Sequence, residues 1–406
     1  MSWTETCAMT ERIDFVSQLL KGERGMTELC EVYGISRKTG YKWLDRFRSG
    51  GGAAMTDRSH APLWQPHAVA APMVARLLQV RRQHPSWGPR KLLAWLDAHD
   101  RPAPWPAAST VGEILRRHGL VQARRRRPQG VQSIDVGLVQ PKAPNDLWCT
   151  DFKGQFRTQD GRYCFPLTLT DSVSRYLLTC KAMLSPSQEL TKPWFERAFR
   201  QYGLPTTIRS DNGSPFASTA LGGLSHLSVW WIKLGIVPER IEPGCPQQNG
   251  RHERMHRTLK AETTHPTGAD LRGQQRKFDD FVTEFNFQRP HEALEQRPPS
   301  ALYRASTRAY PSKIAPVQYP DGYTARQVRQ NGEIKFAGQT VFVSEVLCGE
   351  PVGLYQIDEH LWRLYFSMVP LGILDTQTMC IVRTKQHRSN QARRPRGVPP
   401  PAPPVN

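Results

Sequence analysis

Apolar positions recur at helical spacing along the first fifty residues. In TERIDFVSQLLKG, Ile13, Phe15, Val16, Leu19 and Leu20 gather on one side of a helix. MTELCEVYGISRKTGYKWLDRF then reads as helix, tight turn, helix. Leu29, Val32 and Tyr33 make an apolar stripe, and Gly34 supplies the turn, where a positive φ costs glycine least. Ser36 is placed to cap a helix beginning at Arg37, which turns Trp43, Leu44 and Phe47 inward and Arg37, Lys38 and Lys42 outward. SGGGAAMTDRSHAP marks a linker, assigned to residues 51–65. Residues 66–120 hold two apolar helices broken at His84-Pro85-Ser86-Trp87-Gly88-Pro89. A third helix follows, with Ser109 or Thr110 as cap and Gly119 as stop.

Beyond residue 146 the period changes. LWCTDFKGQF and RYCFPLTLTDSVSRYLLTCKAM predict strands joined by the turn TQDG, the second with a turn near Asp171-Ser172. A helix ended by Gly203, a short strand TTIRS and three further helices through LSHLSVWW, GRHERMHRTLK and FDDFVTEFNF complete residues 146–305. Strands in series followed by helices alternating with a strand predict a mixed sheet with helices on both faces. Residues 320–385 return to short strands, with hairpin turns at Ala337-Gly338 and Asp358-Glu359, and predict a small all-β barrel. Residues 386–406, basic then proline-rich, predict a disordered tail.

The first domain, residues 1–50, resembles a helix-turn-helix whose second helix enters a DNA major groove, with Arg37, Lys38 and Lys42 facing the duplex; a plain helical hairpin is the alternative. Residues 66–120 resemble a second, degenerate helix-turn-helix, against which stands a three-helix spacer. Composition strengthens the DNA reading. Lys and Arg number 55 against 36 Asp and Glu, a net charge of +19, which attracts phosphate backbones. Four consecutive arginines in the linker 121–145 are suited to phosphate contact or to a solubilising hinge. No run of about 18 apolar residues predicts a membrane span, and the N-terminus does not read as a secretion signal. Eight scattered cysteines without a C-x-x-C pair read as reduced thiols of a cytoplasmic protein, not as a disulfide or zinc framework.

Three carboxylates stand out by context. Asp151 lies in WCTDF at a strand, Asp211 in IRSDNGSPF directly after one, and Glu253 in the first turn of a helix rich in cations. Each alone has an ordinary reading as turn former or helix-dipole partner. Together, acids from two strands and a helix can meet at one end of a sheet, where their mutual repulsion calls for a divalent cation. On a helix Glu253, Arg257 and Lys260 share a face, so that Glu253 would hold metal while Arg257 and Lys260 hold flanking phosphates. A surface ion pair worth a few tenths of a kcal/mol is the alternative.

TDF, SDNGSPF and PGCPQQNGRHERMHRTLK, followed by FNFQRPHEALEQRPPSALY, resemble the catalytic core of insertion-sequence transposases. These share the retroviral-integrase core and its Asp, Asp, Glu triad. The resemblance implies an RNase H-like fold for residues 146–305, with Asp151, Asp211 and Glu253 as metal-binding and catalytic residues. It also implies two Mg²⁺ or Mn²⁺ ions per site, and double-stranded DNA, as element ends and target, for substrate. The expected assembly is a homo-oligomer, a dimer or larger synaptic complex, associated with the nucleoid when bound to DNA. The expected activity is cleavage at the element ends and joining of the 3′-hydroxyl to target DNA. The interval of 41 residues between Asp211 and Glu253 is longer than usual in the superfamily. Loop closure tolerates that, because its entropy grows slowly with length. The zinc-binding N-terminal module of retroviral integrases is absent. Asp171 matches a non-catalytic turn. Two other readings remain: a DNA-binding protein without chemistry, which loss of a triad member would favour, and an RNase H-type nuclease, against which the helix-turn-helix argues.

Overall fold

The computed structural model describes residues 7–57, 68–100, 103–121, 138–152, 154–242 and 245–383. The arginine run and the proline-rich tail lie outside these residues. The chain forms two compact units, 1–69 and 70–406.

In the first unit α1 (Ala8–Leu20), α2 (Met26–Val32) and α3 (Arg37–Gly50) close on Phe15, Val16, Leu29, Trp43 and Leu44. Gly34 sits at φ 63° in the turn, and the Ser36 hydroxyl accepts the Thr39 N–H at 3.2 Å. Such a cap is worth about 1 kcal/mol. Gly40 lets α3 lie close against α2, since a Cβ there would come within 2.8 Å of Cys30 Sγ and Met26 Sδ. Val32 departs from the expected stripe: it ends α2 on the solvent side, 58 % exposed. Gly52–Met55, inside the stretch read as linker, forms a 3₁₀ turn that buries Met55.

The second unit begins with α4 (Ala71–Gln83), α5 (Pro89–His99) and α6 (Ala108–Arg117), packed around Leu77, Trp87, Leu92, Leu96 and Val111. Neither Ser109 nor Thr110 caps α6. The helix starts at Ala108 with Ala107 at the cap position, so both hydroxyls fall inside the first turn.

Then come β1 (Leu147–Phe152), β2 (Phe156–Arg157), β3 (Tyr163–Asp171), β4 (Leu177–Met183), α7 (Gln188–Tyr202), β5 (Thr207–Ser210), α8 (His226–Lys233), β6 (Val237–Arg240), α9 (Gly250–Thr263) and α10 (Leu271–Phe287). The sheet runs β2-β3-β1-β5-β6, with β4 paired to β3. Pairings of β3 with β1 and β4 are antiparallel, and those of β5 with β1 and β6 are parallel. Trp148, Leu169 and Ile208 meet α7 and α8 through Phe195, Phe199 and Trp231. Cys164, Leu177 and Cys180 meet α9 and α10 through Met255, Leu259 and Phe278. This is the mixed sheet with helices on both faces, in the RNase H-like arrangement expected. The pattern missed β6, whose Pro238 and charged flanks hide it. Proline is tolerated there because β6 lies at the sheet edge, with one neighbour.

The C-terminal strands are β7 (Tyr323–Gln327), β8 (Glu333–Phe336), β9 (Gln339–Phe342), β10 (Pro351–Gln356), β11 (Leu361–Phe366), β12 (Val369–Asp375) and β13 (Cys380–Val382). They do not close into the expected barrel. Five form an open sheet in the order β13-β12-β11-β10-β7, and β8 and β9 form a separate hairpin. Ile334, Phe336 and Val341 of the hairpin share a core with Val352, Leu354 and Leu364 of the sheet, so its apolar face is covered without curling. Leu221, Leu224, Val229 and Ile232 join that core, and Lys233 pairs with Glu350 at 2.5 Å. The extra residues between Asp211 and Glu253 thus dock the C-terminal sheet on the sheet-and-helix core.

Candidate active site

β1 and β5 pair in parallel as Leu147↔Thr207, Trp148↔Ile208 and Cys149↔Arg209. Continued for two residues, that register brings Asp151 level with Asp211, at the carboxyl ends of adjacent strands. α9 packs on β1 and carries Glu253 in its first turn. Asp151 and Glu253 line one cavity of about 390 Å³ together with Phe152, Gly154, His256, Arg257 and Lys260. Asp211 is not in its wall. Asp211 Oδ1 accepts the Gly213 N–H at 3.1 Å, and Asn212 Nδ2 donates to the Ile241 carbonyl at 2.8 Å, which holds this loop to the end of β6. Two of the three expected carboxylates therefore share one cavity, and the third stands at the end of the neighbouring strand. Among the described residues no three His, Cys, Asp or Glu side chains gather closely enough to hold a metal ion. The oxygen donors of Asp151 and Glu253 nevertheless fit a hard cation such as Mg²⁺, which binds through one or two carboxylates and keeps several waters.

The buried face of α9 carries a polar chain that the sequence reading missed. His256 Nδ1 lies 3.6 Å from Asp151 Oδ2, and its Nε2 lies 2.6 Å from Thr168 Oγ1. The same hydroxyl is 2.8 Å from His252 Nε2, whose Nδ1 is 2.7 Å from Thr170 Oγ1. Thr168 faces Asp151 across the β1–β3 ladder and its hydroxyl donates to the Asp151 carbonyl at 3.1 Å, so both histidines tie α9 to β3, the strand beside the one that bears Asp151. Their spacing of four, beside buried Met255 and Leu259, was the available signal. Burial pushes His252 down to about 3. His291, buried and next to Lys91 and Arg289, also falls to about 3. Both are neutral when folded and take up a proton on unfolding below the ordinary 6.5. Their contribution to stability is complete above pH 6.5 and is lost as pH falls toward 3. Melting temperature should therefore drop as pH is lowered from 7 to 4.5, and His252→Asn should remove part of the slope. An unchanged melt across that range would show that neither ring is held neutral.

Arg209 fixes the approach to α9. It pairs with Glu239 at 2.6 Å and donates to the Gln248 carbonyl at 3.2 Å, just ahead of the helix. Nothing in TTIRSDN marked it as more than a strand residue. Asp171 is buried and accepts from the Asn145 and Ser174 N–H groups and the Ser174 hydroxyl. Burial raises its pKa, and its hydrogen bonds hold the turn before β4 and the segment before β1. In the first unit Arg37, Lys38 and Lys42 are exposed on α3, with the Lys42 ammonium 4.7 Å from the Trp43 ring centroid. Tyr41 lies beside them, 52 % exposed.

Comparison with known proteins matches residues 141–246 and 234–299 to integrase core domains. Residues 11–62 match a helix-turn-helix domain, and 39–115 a homeodomain-like domain. An uncharacterised 31.7 kDa protein of insertion element IS407 from Burkholderia multivorans is 27% identical over 241 residues, covering 58% of this chain and 83% of that protein. The Gag-Pol polyprotein of avian reticuloendotheliosis virus is 33% identical over 135 residues, which is 32% of this chain but only 11% of the polyprotein. Among solved structures, the HTLV-2 integrase catalytic core in complex with magnesium, in its trimeric form, aligns at 14% identity and TM-score 0.32, covering 40% of this chain and 99% of that one. The simian T-cell lymphotropic virus intasome, in complex with PP2A regulatory subunit B56 gamma, aligns at 16% identity and TM-score 0.37, covering 71% and 91%.

Proposed function

We propose, for a chain that belongs to the insertion-sequence transposases of the retroviral-integrase superfamily, that it binds the ends of its own element, cleaves them and joins them to target DNA. The integrase core makes it a polynucleotidyl transferase of the transposition and integration class, the helix-turn-helix makes it a DNA-binding protein, and the core family is metal-dependent. The observation that carries the finer reading is the pairing of Asp151 with Glu253 on one cavity whose wall also holds Arg257 and Lys260. Anionic donors sit there beside cations that can grip a phosphate backbone.

In this reading Asp151, Glu253 and Asp211 hold Mg²⁺ or Mn²⁺, two ions per site, which when bound supplies Lewis acidity for the attacking and leaving oxygens. His256 positions Asp151 through its ring edge, and Arg209 positions the loop before Glu253. Arg257 and Lys260 bind the phosphates flanking the reacting one. Water first breaks a phosphodiester and leaves a 3′-hydroxyl at the element end. That hydroxyl then attacks a target phosphodiester, whose own 3′-oxygen leaves. Arg37, Lys38 and Lys42 read the ends, and a homo-oligomer, a dimer or larger, pairs them. Among the described residues no helix is long and apolar enough to cross a membrane.

The test is whether purified protein joins a duplex carrying the element end to a plasmid. A DNA-binding protein without chemistry would bind and not join, and a hybrid nuclease would cut RNA instead. A second expectation concerns Lys260. Lys260→Ala should weaken binding alike on all sequences and lower the slope of log K against log salt by about 0.9, the counterion release of one phosphate. An unchanged slope would make Lys260 an ordinary surface lysine.

A further inference from the structure

A second and larger cavity, of about 880 Å³, opens between the loop before α5, the start of α6, the turn after β3, α9 and the segment following α10. Arg257 lines both this cavity and the one holding Asp151 and Glu253, so the two adjoin along α9. We propose that the larger cavity is a second phosphate site, holding a backbone phosphodiester of the DNA strand that runs on from the candidate active site. The inference rests on the reading of the chain as a DNA-joining enzyme, and it adds where the strand goes.

The charge balance of the wall points to an anion. Lys91, Arg175, Arg251, Arg254 and Arg257 line it, and none of them forms an ion pair with a carboxylate among the described residues. The two carboxylates on the wall are already engaged. Asp171 accepts from backbone N–H groups and the Ser174 hydroxyl, and Glu292 pairs with Arg90 at 2.9 Å. The donors are also partly withdrawn from water. Among the described residues Arg175 Nη1 is buried without a hydrogen-bond partner. Lys91 is half-buried on α5, and burial, then Arg289, draws its pKa down to about 8. Burial, then Arg251 and Arg254, does the same to Arg175, down to about 10. A buried cation without a partner is costly, and so is a buried donor left unmet. A phosphate, with several acceptor oxygens, relieves both through charge-assisted hydrogen bonds.

The size of the cavity and its position select the source of that phosphate. A cavity this large exceeds what one free anion fills, and it shares the Arg257 wall with the site where DNA would react. A nucleotide of a bound strand satisfies both conditions. The helical segment is held against the core around this opening by Ser86–Glu262 at 2.5 Å, His84–Glu284 at 3.0 Å and Arg289–Ser86 at 3.1 Å. A strand lying here would therefore touch both α5 and α9, which separates this site from the flanking phosphates assigned to Lys260.

The experiment measures binding of the full chain to end-containing duplexes in which one phosphate at a time is replaced by a neutral methylphosphonate. Lys91→Gln and Arg175→Gln should each weaken binding of the natural duplex roughly tenfold, the loss of one charged hydrogen bond, and lower the salt slope by about 0.9. One neutralised position should cost the wild-type protein a similar factor and cost Lys91→Gln nothing further. Without DNA, both variants should melt no lower than wild type, because an uncompensated cation has been removed. A positional penalty that is the same in wild type and variants overturns the proposal. So does a variant that melts well below wild type, which would give the residue a structural role. If inorganic phosphate stabilises the wild type but not the variants while DNA binding is unchanged, the site serves a free anion and the proposal fails. Joining is measured beside binding: the expected positional pattern without joining would leave this phosphate site standing and sink the transposase reading.

Discussion

Asp151→Asn, Asp211→Asn and Glu253→Gln should each abolish cleavage and joining while binding of the element ends is retained. Each change removes one anionic oxygen donor and little volume, so packing around β1, β5 and α9 is preserved. Several kcal/mol of transition-state stabilisation rest on a complete site, and a loss of about 4 kcal/mol corresponds to roughly a thousandfold in rate. Asp211 is the most informative of the three. It lies outside the cavity that Asp151 and Glu253 share, with its carboxylate turned to the Gly213 N–H. If Asp211→Asn is as inactive as the other two, this carboxylate, level with Asp151 at the end of the neighbouring strand, belongs to the same site. If Asp211→Asn joins DNA at the wild-type rate, the site is built from Asp151 and Glu253 without it.

The second large effect concerns the N-terminal unit. Removing residues 1–57 should cost end-specific binding a thousandfold or so, the usual minimum margin between specific and non-specific DNA affinity. The remaining unit carries its own cores and should keep weak, sequence-blind binding. Within the full chain, Arg37→Ala, Lys38→Ala and Lys42→Ala should each lose about 1–3 kcal/mol of discrimination where the side chain reaches a base edge. Footprinting of the ends by the shortened protein as well as by the full chain would show that α3 is not the reader.

Elements whose periodicity is long and strongly marked were legible in the sequence. The Ser36 cap, the Gly34 turn, the α7 stop at Gly203 and the β3–β4 turn at Asp171 all follow from local chemistry, and the structure places them where that chemistry puts them. The misses share a cause: they depend on what lies opposite in space. β6 is too short and too charged to read alone, and becomes a strand because β5 offers a partner. The barrel failed because nothing in the period of β8 and β9 tells whether a hairpin closes a sheet or covers it. In the site, Glu253, Arg257 and Lys260 were correctly put on one helical face, and all three line the cavity. His252 and His256 stand in a run of basic residues, and nothing in that run tells that Thr168 and Thr170 on β3 draw them inward. The position of Asp211 depends on a loop that is held by Gly213 and Ile241, which no motif reveals.

The central claim is that these carboxylates serve metal-dependent DNA joining, and one measurement tests it most directly. Purified protein is incubated with an end-containing duplex and a plasmid target in Mg²⁺, in Mn²⁺, in Ca²⁺ and in excess chelator, with Glu253→Gln as control. Joined product is expected with Mg²⁺ and Mn²⁺, little with Ca²⁺, whose looser coordination positions the reacting oxygens poorly, and none with chelator or in Glu253→Gln. Full joining in chelator, or by Glu253→Gln in Mg²⁺, would contradict the account.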